Sequence, residues 1–308
     1  MARLEVIRPG NLTLLHDFGR YGLAHLGLSQ GGPLDDFSFC WANQLLRNEM
    51  NCPVLEITLG QAEFHVHDHC MMAITGGDLG ATLDGEPVKN WSCFPVQKGQ
   101  TLKFGLPKNG LRAYLAVKHG FEAPEHFGSV STVTRNKLGG LNQDGQPLQA
   151  GDELHFSDFQ RLRKPRYLTF RYTPDYNLPL TLRVIESYQH NFFDKAAQAL
   201  FYSSEFTVSQ LCDRMGYRME GPKIDCEKKG IVSEGIALGS IQVPPDGQPI
   251  ILLNDRQTLG GYPKFGCIAR IDLPRLAQAK PGQKVRFVQG DLAGLQDVWC
   301  QWAKFFGF

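Results

Sequence analysis

Two short segments of the chain combine charge and geometry in a way that suits anion chemistry. Asp213-Arg214-Met215-Gly216-Tyr217-Arg218 presents two guanidinium groups around a glycine-hinged turn. Arginine carries a planar fork of donors that matches a carboxylate or a phosphate. Further on, an apolar run at 250–253 passes directly into Asn254-Asp255-Arg256-Gln257-Thr258, and Lys264 follows in a glycine-flanked loop. A buried strand that ends in opposite charges and amides holds those groups rigidly at its mouth. Each segment can equally be a solvated turn with a local ion pair, which contributes little.

Other patterns carry a chemical signature that their context weakens. Gly27-Leu28-Ser29-Gln30-Gly31 matches the G-x-S-x-G nucleophile elbow. That elbow needs a buried strand before the serine and a helix directly after it. Here a glycine-rich polar stretch precedes Ser29 and Gly31-Gly32-Pro33 follows, so a glycine turn is expected. His65, His67 and His69 alternate and would share one face of a strand. A zinc or iron site could use such a face. The preferred alternative is a solvated face with Phe64 and Val66 turned to the core, and no metal site of the protein's own is expected. No Walker A pattern occurs, so any bound ATP does not rest on a P-loop. Thr75-Gly76-Gly77-Asp78 and Leu259-Gly260-Gly261-Tyr262 are candidate anion nests or simple turns.

The elements that must position these groups read as mostly β. Apolar runs are four to eight residues long and end in Gly, Pro, Asn or Asp, as at 111–117 and 249–253. Asp-Gly-(Glu/Gln)-Pro recurs at 84, 144 and 246 and signals tight turns, because glycine tolerates positive φ. Gly-x-x-(Leu/Val)-x-Phe recurs at 99, 151 and 282 and gives two apolar side chains on one strand face. Helices are expected at 36–47, 192–201 and the C-terminal tail. In the tail, Leu292, Leu295, Trp299, Trp302 and Phe306 form one stripe that packs on its own barrel or serves a subunit interface. A basic, proline-punctuated stretch at 160–179, crossed by a short strand at 167–172, marks a boundary. It divides the chain into an N-terminal β-rich domain, 1–165, and a second, 175–308, both barrel-like.

Composition excludes several classes. The 308 residues carry a formal net charge of +1, with no basic or acidic tail, so no nucleic-acid partner is implied. No apolar stretch reaches membrane-spanning length, and the N-terminus lacks a secretory h-region. The eight cysteines are scattered without a C-x-x-C pair and read as reduced thiols in a cytoplasmic protein.

Ordered along the chain, these residues resemble one family. Residues 10–22, Gly-Asn-Leu-Thr-Leu-Leu-His-Asp-Phe-Gly-Arg-Tyr-Gly, are similar to the G-x-x-T-x-x-Q-D-x-G-R-x-G start of the family known as allophanate hydrolase subunit 2, as KipA-like, or as the C-type subunit of 5-oxoprolinase. Ala42-Asn43, Leu55-Glu56-Ile57-Thr58, Thr75-Gly76-Gly77-Asp78 and Arg112-Ala113-Tyr114-Leu115-Ala116-Val117 resemble further elements. So do residues 209–220, Ser233-Glu234-Gly235, residues 239–250, Asp255-Arg256-Gln257-Thr258 and Gly260-Gly261-Tyr262-Pro263-Lys264. His16, Ser29, Gly31, Pro33, Leu34 and Cys212 depart from the family's pattern.

The resemblance implies a cyclophilin-like β-barrel as the second domain. It also implies one component of an ATP-dependent 5-oxoprolinase that opens 5-oxoproline to glutamate. The partners would be a B-type, KipI-like subunit and an A-type, LamB/YcsF-like subunit. ATP and Mg²⁺ would activate the lactam by phosphorylating its amide oxygen, a step that depends on positioning and charge stabilisation. Asp213, Arg214, Glu234, Asp255 and Arg256 are then the catalytic candidates. Arg218, Gln257, Lys264, Asp17 and Arg20 are candidates for binding substrate or phosphate. Two alternatives follow from the same resemblance: a regulatory antagonist of a KipI-like kinase inhibitor, and a carboxyltransferase component acting on urea- or allophanate-type amides. No Met-Lys-Met biotinylation site is present.

Overall fold

The computed structural model describes residues 2–157 and 165–308. The stretch 160–164, part of the expected boundary, lies outside the described residues. The chain divides into two compact units, Met1–Arg20 with Gly31–Tyr176, and Tyr21–Gln30 with Asn177–Phe308. No sequence pattern marks the ten-residue segment of the N-terminal half that belongs to the second unit.

In the first unit the strands divide between two sheets. One runs Phe121–Glu122, Glu153–Phe156, Ala2–Pro9, Ala62–Val66, Thr101–Lys103, Thr82–Leu83, Glu86–Pro87. The other runs Arg166–Tyr167, Ser92–Val96, Cys70–Asp78, Asn109–Val117, Val54–Thr58, Leu12–His16. Alternate side chains of both sheets, among them Leu4, Phe64, Phe156, Ile57, Met72 and Leu115, meet in one buried core. The turn repeat works as its chemistry dictates at Asp84-Gly85. Both residues have positive φ and join Thr82–Leu83 to Glu86–Pro87 through a two-residue hairpin loop. Helix α1, Asp36–Leu46, starts where Asp35 accepts a hydrogen bond from Ser38 N at 2.8 Å. The expected strand at 167–172 is only Arg166–Tyr167, followed by a 3-10 turn at Phe170–Tyr172.

The second unit is a closed seven-stranded barrel. Around it run Leu180–Glu186, Lys264–Ile268, Ser240–Gln242, Ile250–Leu252, Gly216–Glu220, Glu205–Cys212 and Lys284–Gln289. Closure comes through a parallel pairing of the last strand with the first. Helix α2, Lys195–Ser203, is capped by Asp194 and buries Phe201 among Phe206, Phe265 and Phe287. The ring centroids of Phe201 and Phe265 lie 4.0 Å apart. Helix α3, Leu273–Ala277, was not expected; it is a single turn with proline near its start. Helix α4, Leu292–Phe306, buries Phe306 and leaves Leu295, Trp299 and Trp302 half-covered, with the Arg270 guanidinium 3.9 Å over the Trp299 ring. The glycine-led strand repeat is fully used: Leu102 and Phe104, Leu154 and Phe156, Val285 and Phe287 are all buried. No described helix is long and apolar enough to cross a membrane.

All eight cysteines are free thiols. Burial pushes the Cys70 thiol up to about 12 and the Cys267 thiol up to about 11, whereas Cys300 is exposed on α4. Because the thiolate is the nucleophile, iodoacetamide at pH 8 should label Cys300 in the native chain and leave Cys70 and Cys267 unmodified. Peptide mapping after alkylation checks this; fast labelling of Cys70 would contradict its burial.

Candidate functional site

The two segments singled out by their chemistry are adjacent in the barrel. Strand Gly216–Glu220 pairs with Ile250–Leu252. The pairing continues into the following loops, where Leu253 N donates to Met215 O at 2.9 Å and Asp255 N to Arg214 O at 3.0 Å. The side chains repeat that link. Arg214 Nε reaches Asp255 Oδ2 at 2.9 Å and Nη2 reaches Oδ1 at 3.0 Å, with both residues buried. This bidentate pair braces one loop against the other. Asp213 caps its own turn, its Oδ1 accepting from Met215 N at 2.8 Å and Gly216 N at 3.1 Å.

The brace sets the position of Arg256. Its Nε donates to Ile236 O and its Nη1 to Leu253 O, both at 3.1 Å, while Nη2 makes no hydrogen bond among the described residues. Burial pulls this guanidinium below its ordinary value, an effect that Cys267 and Asp255 oppose. Ser29 fastens the same loop from the Tyr21–Gln30 segment, its hydroxyl donating to Arg256 O at 2.7 Å. No strand precedes Ser29 and no helix directly follows it, so the nucleophile-elbow geometry is absent. Gln257 continues the loop, half-buried.

From Arg256 the chain enters a two-stranded ribbon that pairs Glu234–Gly235 with Leu259–Gly260. The ribbon carries Glu234 to Lys264, and the two side chains form an ion pair. Lys264 is buried at the start of a barrel strand. Gln189 ties the pair together: its Nε2 donates to Glu234 Oε1 at 2.6 Å, and its Oε1 accepts from Lys264 N at 2.8 Å. The hydrogen bond from Lys264, then that from Tyr188, holds the Glu234 carboxyl below its usual range. Along the chain Arg256 leads into the ribbon and Lys264 follows it, with the Glu234 carboxylate against the ammonium.

The remaining candidates are used elsewhere. Arg218 pairs with Asp246 of the third Asp-Gly turn at the solvent-exposed rim. Asp17 and Arg20 belong to the first unit, where both are buried. Asp17 accepts from Ser131 Oγ at 2.7 Å and Val130 N at 3.0 Å, and Arg20 donates to the carbonyls of His126, Ser131 and Ser129 at 2.8, 2.6 and 2.9 Å. These bonds staple loop 126–131. Arg214 has its fork on Asp255, and Asp213 its carboxylate on the turn. His67 bonds Glu5 at 2.7 Å and the neighbouring Phe64 and Val66 are core, the solvated-face arrangement. Among the described residues no three His, Cys, Asp or Glu side chains converge on a metal position. Gln189 was missed because Ser187-Tyr188-Gln189 carries no motif; only its place before the expected helix at 192–201 hinted at a barrel-mouth loop.

A carboxyltransferase family model, "Carboxyltransferase domain, subdomain A and B", matches residues 26–289 and so spans both units. This chain belongs to that carboxyltransferase-domain family. Its relatives include the C-type subunit of the Escherichia coli 5-oxoprolinase, 36% identical over 94% of this chain and 92% of that protein. The C-type subunit of the Haemophilus influenzae 5-oxoprolinase is 33% identical over 92% of this chain and 90% of that one. In three dimensions the chain is similar to the Kluyveromyces lactis urea carboxylase, with a TM-score of 0.86, 25% identity, and coverage of 99% of this chain and 29% of that one. The matched span includes Glu234, Arg256 and Lys264.

Proposed function

We propose that this chain is the C-type subunit of an ATP-dependent 5-oxoprolinase, and that the Arg256–Lys264 surface holds the anionic lactam while its amide oxygen is phosphorylated. The observation that carries the reading is a buried lysine, Lys264, whose ammonium pairs with a Glu234 carboxylate held by Gln189, on the chain segment that also carries Arg256, a guanidinium with one nitrogen unused among the described residues. Two cations preorganised in a low-dielectric setting stabilise charge that develops on a transferring phosphoryl group or a lactam oxygen. Resonance makes the lactam carbon a poor electrophile, and phosphorylation turns the amide oxygen into a leaving group. ATP supplies the phosphoryl group, and Mg²⁺ enters with its phosphates. A B-type, KipI-like partner completes the site and an A-type, LamB/YcsF-like partner carries the hydrolytic step. The two relatives named as C-type subunits of 5-oxoprolinase, matched along nearly their whole length, support this substrate.

The likeness to urea carboxylase favours a second reading, carboxyl transfer to a urea-type amide from biotin carried on another protein. ATP hydrolysis by the co-purified subunits separates the two. ADP formation that rises with added 5-oxoproline and yields glutamate is the expected result. ADP formation indifferent to 5-oxoproline, with both partners bound, would contradict the proposal. Carboxylation of urea by carboxybiotin would establish the alternative.

A further inference from the structure

One buried donor near this surface has nothing to bond. Gln242 closes the strand Ser240–Gln242 and is 2% exposed, yet its Nε2 has no hydrogen-bond partner among the described residues. Leaving a buried amide unpaired carries a desolvation penalty that folding does not recover. Its surroundings are those of the site. In the barrel ladder Gln242 stands opposite Lys264, and the register slips by one residue between Ile241 and Gln242. A bulge of this kind re-aims side chains and is common beside active sites. Over Gln242 lies the ribbon: a Cβ on Gly260 would sit 2.7 Å from the Gln242 Nε2 and 2.5 Å from Ile236 Cδ1, so the ribbon rests directly on the Gln242 amide. The cover is slight, two residue pairs with a glycine in each strand.

We propose that Gln242 is a substrate-binding residue whose Nε2 donates to the carbonyl oxygen of the amide substrate, next to the ammonium of Lys264. Both groups are donors, so the atom they share is an acceptor, which an amide or lactam oxygen is and an amine or alkyl group is not. Glu234 and Gln189 hold Lys264 from the ribbon side, and Gln242 supplies a second donor from the neighbouring strand. The glycine ribbon parts to admit the ligand and closes over it. This inference rests on the lactam reading above and adds the group that recognises the carbonyl.

The test uses the complete co-purified complex with Gln242→Met, which keeps the side chain's volume and removes the donor. A partner-less amide that awaits ligand should be dispensable for folding, so the thermal midpoint of the variant should equal or exceed that of the wild type. KM for 5-oxoproline should rise by about tenfold, the value of one lost hydrogen bond, while KM for ATP stays unchanged. Gln242→Glu, which also lacks the donor and adds an acceptor, should do worse. An unchanged KM for 5-oxoproline overturns the inference, as does a lowered midpoint with both KM values raised together. A wild-type complex without oxoproline-dependent ATP hydrolysis fails the parent reading, and this inference with it; an active wild type with an indifferent variant fails the inference alone.

Discussion

Asp255→Ala is expected to destabilise the second unit by about 3–5 kcal/mol, because it strips a buried guanidinium of the carboxylate that grips it through two hydrogen bonds. Neither side chain can turn to water, since each is 7% exposed. The thermal midpoint should fall by roughly 10 °C. The double variant Arg214→Met with Asp255→Leu should regain most of that loss, because an apolar pair of similar volume pays no desolvation. Both variants should nevertheless lose activity, since the pair fixes the loop that carries Arg256. A midpoint within about 1 °C of the wild type for Asp255→Ala, a shift worth only tenths of a kcal/mol, would mean that the brace is not closed in solution. Chemical denaturation followed by tryptophan fluorescence provides an independent check.

Lys264→Met should act in the opposite way, with little effect on folding and a large one on turnover. The Glu234 side chain it abandons is 32% exposed and can rehydrate. Oxoproline-dependent ATP hydrolysis of the complex should fall by about 10²–10³-fold, the usual cost of removing one preorganised charge. Lys264→Arg should not restore it, because a planar fork does not replace a compact ammonium. The pH dependence follows from the depressed carboxyl of Glu234. A carboxyl held below its usual value contributes fully above the ordinary carboxylate range and is lost only as pH falls below that range. The pair is therefore intact throughout the neutral range, and the wild type should show no activity step there from Glu234. Retention of more than about half the coupled activity in Lys264→Met, far from the loss that a preorganised charge entails, would remove Lys264 from the mechanism.

Much of the fold was legible because it is written in local chemistry. The glycine-led strands at 99, 151 and 282 announce their two buried side chains by period alone, and Asp84-Gly85 announces its turn by φ. Helix α1 is marked by the helical spacing of Phe37, Cys40, Trp41 and Leu45. Pairings distant in sequence were out of reach. Nothing near Ser29 indicates that its hydroxyl ends on the carbonyls of residues 255 and 256. Nothing near Arg20 shows that three carbonyls of loop 126–131 take up its donors.

The candidate site divides along the same line. Arg256 and Lys264 are candidates because an apolar run at 250–253 leads into the loop that carries them, whereas Glu234 is a candidate only through the resemblance. Sequence could not separate them from Arg214 and Asp213, which have the same types and spacing. Only the fold shows that the Arg214 fork lies on Asp255 whereas Arg256 Nη2 makes no hydrogen bond among the described residues. Gln242 illustrates the converse: an ordinary strand residue in sequence, it stands out only because the folded barrel leaves its amide buried and unmatched.

Anion binding by the barrel loops is tested most directly by Arg256→Ala in the reconstituted complex, assayed for ATP hydrolysis with and without 5-oxoproline. The stimulation by 5-oxoproline should disappear while the partner subunits still co-purify with the variant. Full oxoproline-dependent hydrolysis by that variant would show that the guanidinium beside the ribbon holds no substrate, and the assignment of this surface would be wrong.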